Sequence, residues 1–210
     1  MSVSDCYTKI EFLYNFTKID NLASIIKLGI LSKNEIKRLN IKNKDISNQD
    51  VQSKRDLVKI PKVRNVKNSE LHDYANLYFN VRNAMMYDKI NSEDINSLCV
   101  ICVDKKVLDL GTTIVTNRNA ASKKVDFLSP KDGLKYIDFE KVNAYSWNDS
   151  NQYIKNEKRS IKSAETLVLR SVPPRFIRKI KVPTIEALNK VKSLNLGVDV
   201  EIDKDIFFLI

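Results

Sequence analysis

Glycine is the scarce residue of this chain: four in 210, alongside five prolines. Glycine supplies the positive-φ turns and close backbone approaches on which phosphate-cradling loops depend. No GxGxxG or GxxxxGK[ST] pattern occurs, and so few glycines leave no material for a flexible linker. A single domain over residues 1–210 follows, large enough to bury a proper core. Its 43% hydrophobic and 30% charged residues suit a folded, soluble chain. No apolar run of membrane-spanning length and no signal peptide is recognisable, so no membrane partner is expected. Three cysteines, an odd and sparse set, suit a reducing cytoplasm.

The densest chemistry lies in Leu71–Tyr87, LHDYANLYFNVRNAMMY. It holds the only histidine, His72, and sets Tyr74, Tyr78, Phe79 and Tyr87 among an aspartate, three asparagines and an arginine. Each buried amide needs a partner, so the mixture suits a ligand pocket: flat apolar walls with a few placed polar groups. An aromatic-rich core segment under a loop is the alternative.

The net charge of +10 favours an anionic partner. Lys54, Arg55, Lys59, Lys62, Arg64 and Lys67 face one acid, Asp56, and a second basic run extends from Lys155 to Lys181. After folding, the two stretches can form walls of one groove for a phosphate backbone, or remain solvated surface. Cys99 and Cys102 have a CVIC spacing, but Leu98–Val103 reads as a buried strand. Strand positions three apart face opposite sides, which excludes convergence on a metal.

Ile10–Phe16 reads as a strand ending at Thr17. Asp20 is then placed as N-cap of a helix over Asn21–Leu28, stopped by Gly29. Helical turns are expected at Asn34–Leu39 and over Asp50–Leu57, the latter ended by Pro61, with a surface loop at Lys42–Asp50 between them. Val107–Leu110 and Thr112–Thr116 flank Gly111, and NRNAAS, Asn117–Ser122, is a polar turn. Leu128–Asn156 lacks clear periodicity and reads as a long loop. Ala164–Leu169, Phe176–Val182 and Val198–Ile202 read as strands, with a helix over Ile185–Leu194 capped by Thr184. The sum is a mixed α+β domain, two packed sheets with peripheral helices. One acid stands out: Glu165, at the start of an apolar strand, where a carboxylate can project into a cleft.

Four islands taken in order carry a resemblance. They are LYNFTKIDNLASIIKLGILS (Leu13–Ser32), DVQSKRDLVKIP (Asp50–Pro61), LHDYANLYFNVRNAMMY and SAETLV (Ser163–Val168), with TNRNAAS (Thr116–Ser122) a weaker fifth. The chain resembles DarT, the DNA ADP-ribosyltransferase toxins of bacterial toxin–antitoxin pairs. That resemblance implies an ADP-ribosyltransferase-like split β-core, NAD as co-substrate, no metal, and single-stranded DNA as acceptor. It also implies an antitoxin partner, an ADP-ribosyl-hydrolase of macrodomain or NADAR type.

By position, the resemblance makes Glu165 the catalytic carboxylate and Arg55 the residue that activates the base and stabilises the transition state. Asn15, Thr17 and Asn21 line the NAD site, with Tyr74, Tyr78 and Phe79 as its walls. Asn76, Arg82, Asn119 and Lys54 fall on the acceptor side. Asn15 and Asn119 stand where family members usually carry histidine; asparagine hydrogen-bonds but cannot titrate. Among bases, guanine is favoured and thymine next. Asn76 replaces a proline of thymine-modifying members and adds a mixed donor–acceptor amide, although an asparagine there can also merely cap a turn. An RNA or protein acceptor and a non-catalytic nucleic-acid-binding domain are the competing readings.

Overall fold

The computed structural model describes residues 3–44, 49–63 and 69–209. Twelve strands are present among them: β1 Phe12–Lys18, β2 Ile30–Leu31, β3 Lys59–Ile60, β4 Ser69–Glu70, β5 Tyr74–Tyr78, β6 Leu98–Asp104, β7 Thr113–Thr116, β8 Phe127–Leu128, β9 Glu165–Leu169, β10 Ser171–Val172, β11 Ile177–Val182 and β12 Asp199–Ile202. Eight form one sheet in the order β12-β11-β6-β1-β5-β9-β7-β8, and β10-β2 and β3-β4 are separate two-stranded ribbons.

β6 is the centre of the first half. Its run LCVICV is buried at every position, and it pairs antiparallel with β1 on one side and β11 on the other. Alternation sends Cys99, Ile101 and Val103 into the main core and Leu98 and Val100 into a second cluster with Phe16 and Phe207. All three cysteines are free and buried, and the described residues hold no group of three or more ligands able to bind a metal.

The sheet is divided in its middle. β1 meets β5 at a single register pair, Tyr14↔Tyr78, whereas β1 meets β6 over its full length. Two four-stranded halves result, and the two sheets expected from the sequence are these halves, joined edge to edge at one point. β5, β9, β7 and β8 make the second half, with β9 paired over five positions to β5. The architecture is α+β, with short helices around the sheet.

Gly29 ends the helix Leu22–Leu28 as expected, at φ +89° and ψ 177°, a conformation essentially reserved for glycine. A Cβ there would stand 2.2 Å from the carbonyl oxygen of Val172, inside the β10–β2 ribbon. Gly29→Ala is expected to cost more than the roughly 1–3 kcal/mol of backbone strain alone. In a chain of this size that lowers the thermal midpoint by roughly 4 °C or more, which calorimetry would read. A parent-like midpoint would show that the ribbon yields freely.

Several boundaries differ from expectation for physical reasons. Asp20 does not cap the helix: a 3₁₀ turn, Ile19–Asn21, precedes it, and Asp20 pairs with Lys44 instead. The helix Gln49–Asp56 stops before Pro61 because Ile60, 1% exposed, is drawn into a cluster with Leu71 and Ile114, making β3. That helix begins inside the expected surface loop, of which residues 45–48 lie outside the described residues. Lys105–Asp109, overlapping the segment before Gly111, is 3₁₀. The expected loop Leu128–Asn156 contains helices at Pro130–Gly133 and Phe139–Asn143 and the start of a third, Gln152–Lys162. Each is capped by its own side chain, Ser129, Asp138 and Asn151 respectively. The first two are too short to display a helical period, so caps were the only local signal.

Candidate active site

At the division between the halves lies a cavity of about 1060 Å³ that opens to solvent. Strand parity decides what β5 contributes. Tyr74, Asn76 and Tyr78 face the cavity, while Ala75, Leu77 and Phe79 join the main core. Phe79, expected on the NAD wall, therefore points the other way and packs edge-on against Phe139, ring centroids 5.8 Å apart. Tyr74 is held by Ser69, hydroxyl to hydroxyl at 2.8 Å. Tyr78 donates to Met85 Sδ at 3.3 Å; burial, then the nearby Glu165 charge, pushes its phenol well above the usual range, so it stays protonated.

β1 and its continuation supply the opposite wall with Asn15, Thr17 and Asn21. Asn15 Nδ2 donates to the Asn76 carbonyl at 3.2 Å, bridging β1 and β5 where backbone pairing has ended. Asn21 donates to Thr17 Oγ1 (3.1 Å) and exchanges two bonds with the backbone of Lys44, at 3.0 and 2.9 Å. It thus pins the segment after Ile41 against the cavity rim.

Arg55 and Glu165 meet beneath these walls across 110 residues of sequence. Arg55 Nη1 donates to both carboxylate oxygens (3.1 and 3.2 Å) and Nη2 to Oε2 (3.2 Å). The backbone N–H of Ala120 completes the set, 2.9 Å from Oε1. Burial, the largest single effect, would lower the affinity of Arg55 for its proton, but the charge and hydrogen bonds of Glu165 together outweigh it, and the guanidinium is held more firmly charged than usual. Thr116 Oγ1 accepts from the Glu165 backbone N–H at 3.0 Å and fixes the start of β9.

Glu165 is wholly buried, 0% exposed, and Arg55 stands between it and the cavity. The expected carboxylate projecting into a cleft is corrected: cover comes from Arg55 on a helix distant in sequence. Removing Glu165 would leave a buried guanidinium without its counter-charge, so Glu165→Ala is expected to disturb folding as well as chemistry.

Asn119 lines the cavity, its Oδ1 accepting from Ala121 N–H at 2.9 Å and its own N–H donating to the Ser160 carbonyl. Asn76 and Lys54 also face the cavity. Arg82 does not: its guanidinium lies over the rings of Tyr145 and Phe208, 4.0 and 4.2 Å from their centroids, and donates to the carbonyls of Tyr145 and Asp205. It staples a loop to the final turn, so its expected place on the acceptor side is corrected.

The two basic runs do not form two walls. From the second, only Arg159 lines the cavity; Arg178, Lys179 and Lys181 pair with Asp104, Glu201 and Asp203 near the far edge of the sheet. Lys162 is buried and donates to the carbonyls of Val142 and Ala144, its desolvated amine brought down to about 8. Arg64 and Lys67 lie outside the described residues. Sequence reasoning missed Lys33, Lys37, Lys44 and Lys89, which do line the cavity. They are scattered singly along the chain, and no local cluster marked them.

The divided sheet is the split β-core implied by the resemblance to DarT, and Arg55 and Glu165 meet at its division. The chain belongs to the DarT family: residues 14–208 match the family model described as "ssDNA thymidine ADP-ribosyltransferase, DarT". It is 30% identical over 208 residues to a DNA ADP-ribosyl transferase–DNA ADP-ribosyl glycohydrolase fusion protein of Thermosipho africanus, covering 97% of this chain but 51% of that one. The chain thus spans about half the length of that relative. A DNA ADP-ribosyl transferase of Thermus sp. strain 2.9 is 28% identical, over 81% of this chain and 80% of its own.

Among solved structures, the Thermosipho africanus DarTG complex with ADP-ribose superposes with a TM-score of 0.82 at 28% identity, covering 94% of this chain and 51% of that one. The Thermus sp. 2.9 DarT complex with ADP-ribosylated single-stranded DNA gives 0.79 at 23% identity, covering 94% and 96%, a likeness of fold.

Proposed function

We propose that this chain transfers ADP-ribose from NAD to a base of single-stranded DNA. The observation that carries the reading is the Arg55–Glu165 pair, set at the division of the sheet beneath the cavity. The cavity has room for a dinucleotide, lies at the top of the ordinary range for ligand sites, and offers tyrosines, amides and cations together. Asn15, Thr17, Asn21, Tyr74 and Tyr78 are the residues we assign to NAD.

Loss of nicotinamide leaves positive charge at the ribose C1, as in the oxocarbenium-like states of glycoside chemistry. Glu165 stabilises that charge, directly or through a ribose hydroxyl, and can accept the base proton. Arg55 spends three of its five N–H donors on Glu165, and the rest of its planar fork suits a base edge or a phosphate. A base inside a duplex is out of reach, which supports a single-stranded acceptor. The relative in which transferase and ADP-ribosyl glycohydrolase are fused supports a toxin paired with a hydrolase antitoxin of macrodomain or NADAR type. Among the described residues no helix is long and apolar enough to cross a membrane; a cytoplasmic site of action fits the free thiols of Cys6, Cys99 and Cys102.

Guanine is the base we place first, because Asn76 stands on the cavity wall as a mixed donor–acceptor group. Thymine is the second reading, favoured by the family description naming thymidine. Mass spectrometry of oligonucleotides lacking either G or T decides between them. The expected result is an ADP-ribose adduct on the strand lacking T and none on the strand lacking G; the reverse pattern assigns thymine.

A further inference from the structure

We propose that His72 and Asp56 form a latch that seats Arg55 against Glu165, making them a positioning pair for the transfer reaction. His72 Nε2 lies 2.7 Å from Asp56 Oδ1, and Asp56 is the neighbour of Arg55 on the helix Gln49–Asp56. Consecutive helical residues point about 100° apart. Arg55 therefore turns inward to Glu165 while Asp56 reaches sideways to His72.

The way the helix is held makes this contact matter. Of its described side chains, Ser53, Lys54 and Asp56 are exposed, and Arg55 alone is buried. The chain just after it is anchored, by the Leu71 N–H on the Val58 carbonyl and by the β3–β4 ribbon. Among the described side chains, Arg55 reaches Glu165, Asp56 reaches His72 and, at 3.7 Å, Lys33, and Ser53 is also partnered.

His72, by contrast, is fixed. It sits in the 3₁₀ turn Leu71–Asp73 between fully buried Leu71 and buried Tyr74. Asp73 closes that turn by accepting from the Glu70 N–H at 2.8 Å and from Asn34 Nδ2 at 2.7 Å. The imidazole, set in that turn, holds the helix through Asp56.

The charged groups facing His72 are Lys33 from the helix Lys33–Arg38, and Arg55 and Asp56 from the latched helix. Burial first, then Lys33, holds the imidazole below its usual pKa of 6.5, against the pull of Asp56. The neutral ring then donates Nε2–H to the carboxylate. A lowered folded-state pKa means the favourable contribution is complete above about pH 6.5 and is lost as pH falls through the lower folded value.

The inference rests on the proposed role of Arg55, so its test has one arm that needs no activity. Amide hydrogen exchange across residues 49–56 should speed up about 10- to 100-fold in His72→Leu, the range for losing a hydrogen bond to a charged group. His72→Gln, which keeps a donor at the same reach, should restore parent protection and remove the acid-side loss. In kinetics, His72→Leu should lower kcat by a similar factor with KM for NAD within about twofold, and His72→Leu with Asp56→Asn should be no worse than either alone. Parent-like exchange in His72→Leu, a His72→Gln variant as impaired as His72→Leu, or additive losses in the double variant would each overturn the latch. If the parent transfers no ADP-ribose to any acceptor, the functional reading fails, and the exchange measurement still judges the latch.

Discussion

Glu165→Gln is expected to slow ADP-ribose transfer by at least about 10²–10³-fold. Glutamine keeps the shape of the side chain and an oxygen for the Ala120 N–H, 2.9 Å from Oε1 in the parent. What it loses is the charge that opposes both Arg55 and a developing ribosyl cation. Its amide nitrogen cannot accept from the guanidinium, so one of the two carboxylate oxygens that Arg55 engages becomes a donor facing donors. Breaking a buried pair by removing one charge typically costs about 3–5 kcal/mol, so a fall in thermal midpoint is expected alongside the rate loss. The two effects separate experimentally: single-turnover transfer measured well below the midpoint reads the chemistry, and a melting curve reads the fold. A folded Glu165→Gln that transfers at the parent rate would remove Glu165 from the mechanism.

Arg55→Lys is expected to be nearly as damaging to turnover as Arg55→Ala, roughly 10²-fold or more. Lysine preserves the positive charge beside Glu165 but replaces a planar fork with a point charge. The parent guanidinium spans both carboxylate oxygens with two nitrogens, and a single ammonium cannot reproduce that while also addressing a base or phosphate. Stability should divide the variants where activity does not. Arg55→Lys retains a counter-ion for buried Glu165 and should melt near the parent, whereas Arg55→Ala leaves the carboxylate alone in the interior. Near-parent transfer by the lysine variant would reduce Arg55 to a general cation.

The long apolar strands were legible because they are bounded by polar residues: Leu98–Asp104 and Glu165–Leu169 fall almost where periodicity put them, whereas β5, Tyr74–Tyr78, and the two-residue strands gave no such run. The place of Glu165 at the start of a strand was legible; its burial was not, because the cover is Arg55, 110 residues earlier in the chain. Phe79 and Arg82 were misplaced for different reasons. The period of two that runs from Tyr74 already separates Phe79 from Tyr78, and reading the stretch by composition hid that parity. Arg82 is claimed by Tyr145 and Phe208, partners that no local pattern announces. Likewise the acids that neutralise Arg178, Lys179 and Lys181 come from β6 and from the strand and turn near the end of the chain, so a basic run in sequence became a paired surface in three dimensions.

The central claim is that the Arg55–Glu165 centre moves ADP-ribose from NAD onto a base of single-stranded DNA. Incubating the parent and Glu165→Gln with NAD labelled in its adenylate phosphate, against separate single-stranded DNA, RNA and protein acceptors, tests it most directly. Label is expected on single-stranded DNA with the parent and is nearly lost with Glu165→Gln. Label confined to RNA or protein, no label on any acceptor, or equal labelling of DNA by the two proteins would contradict it.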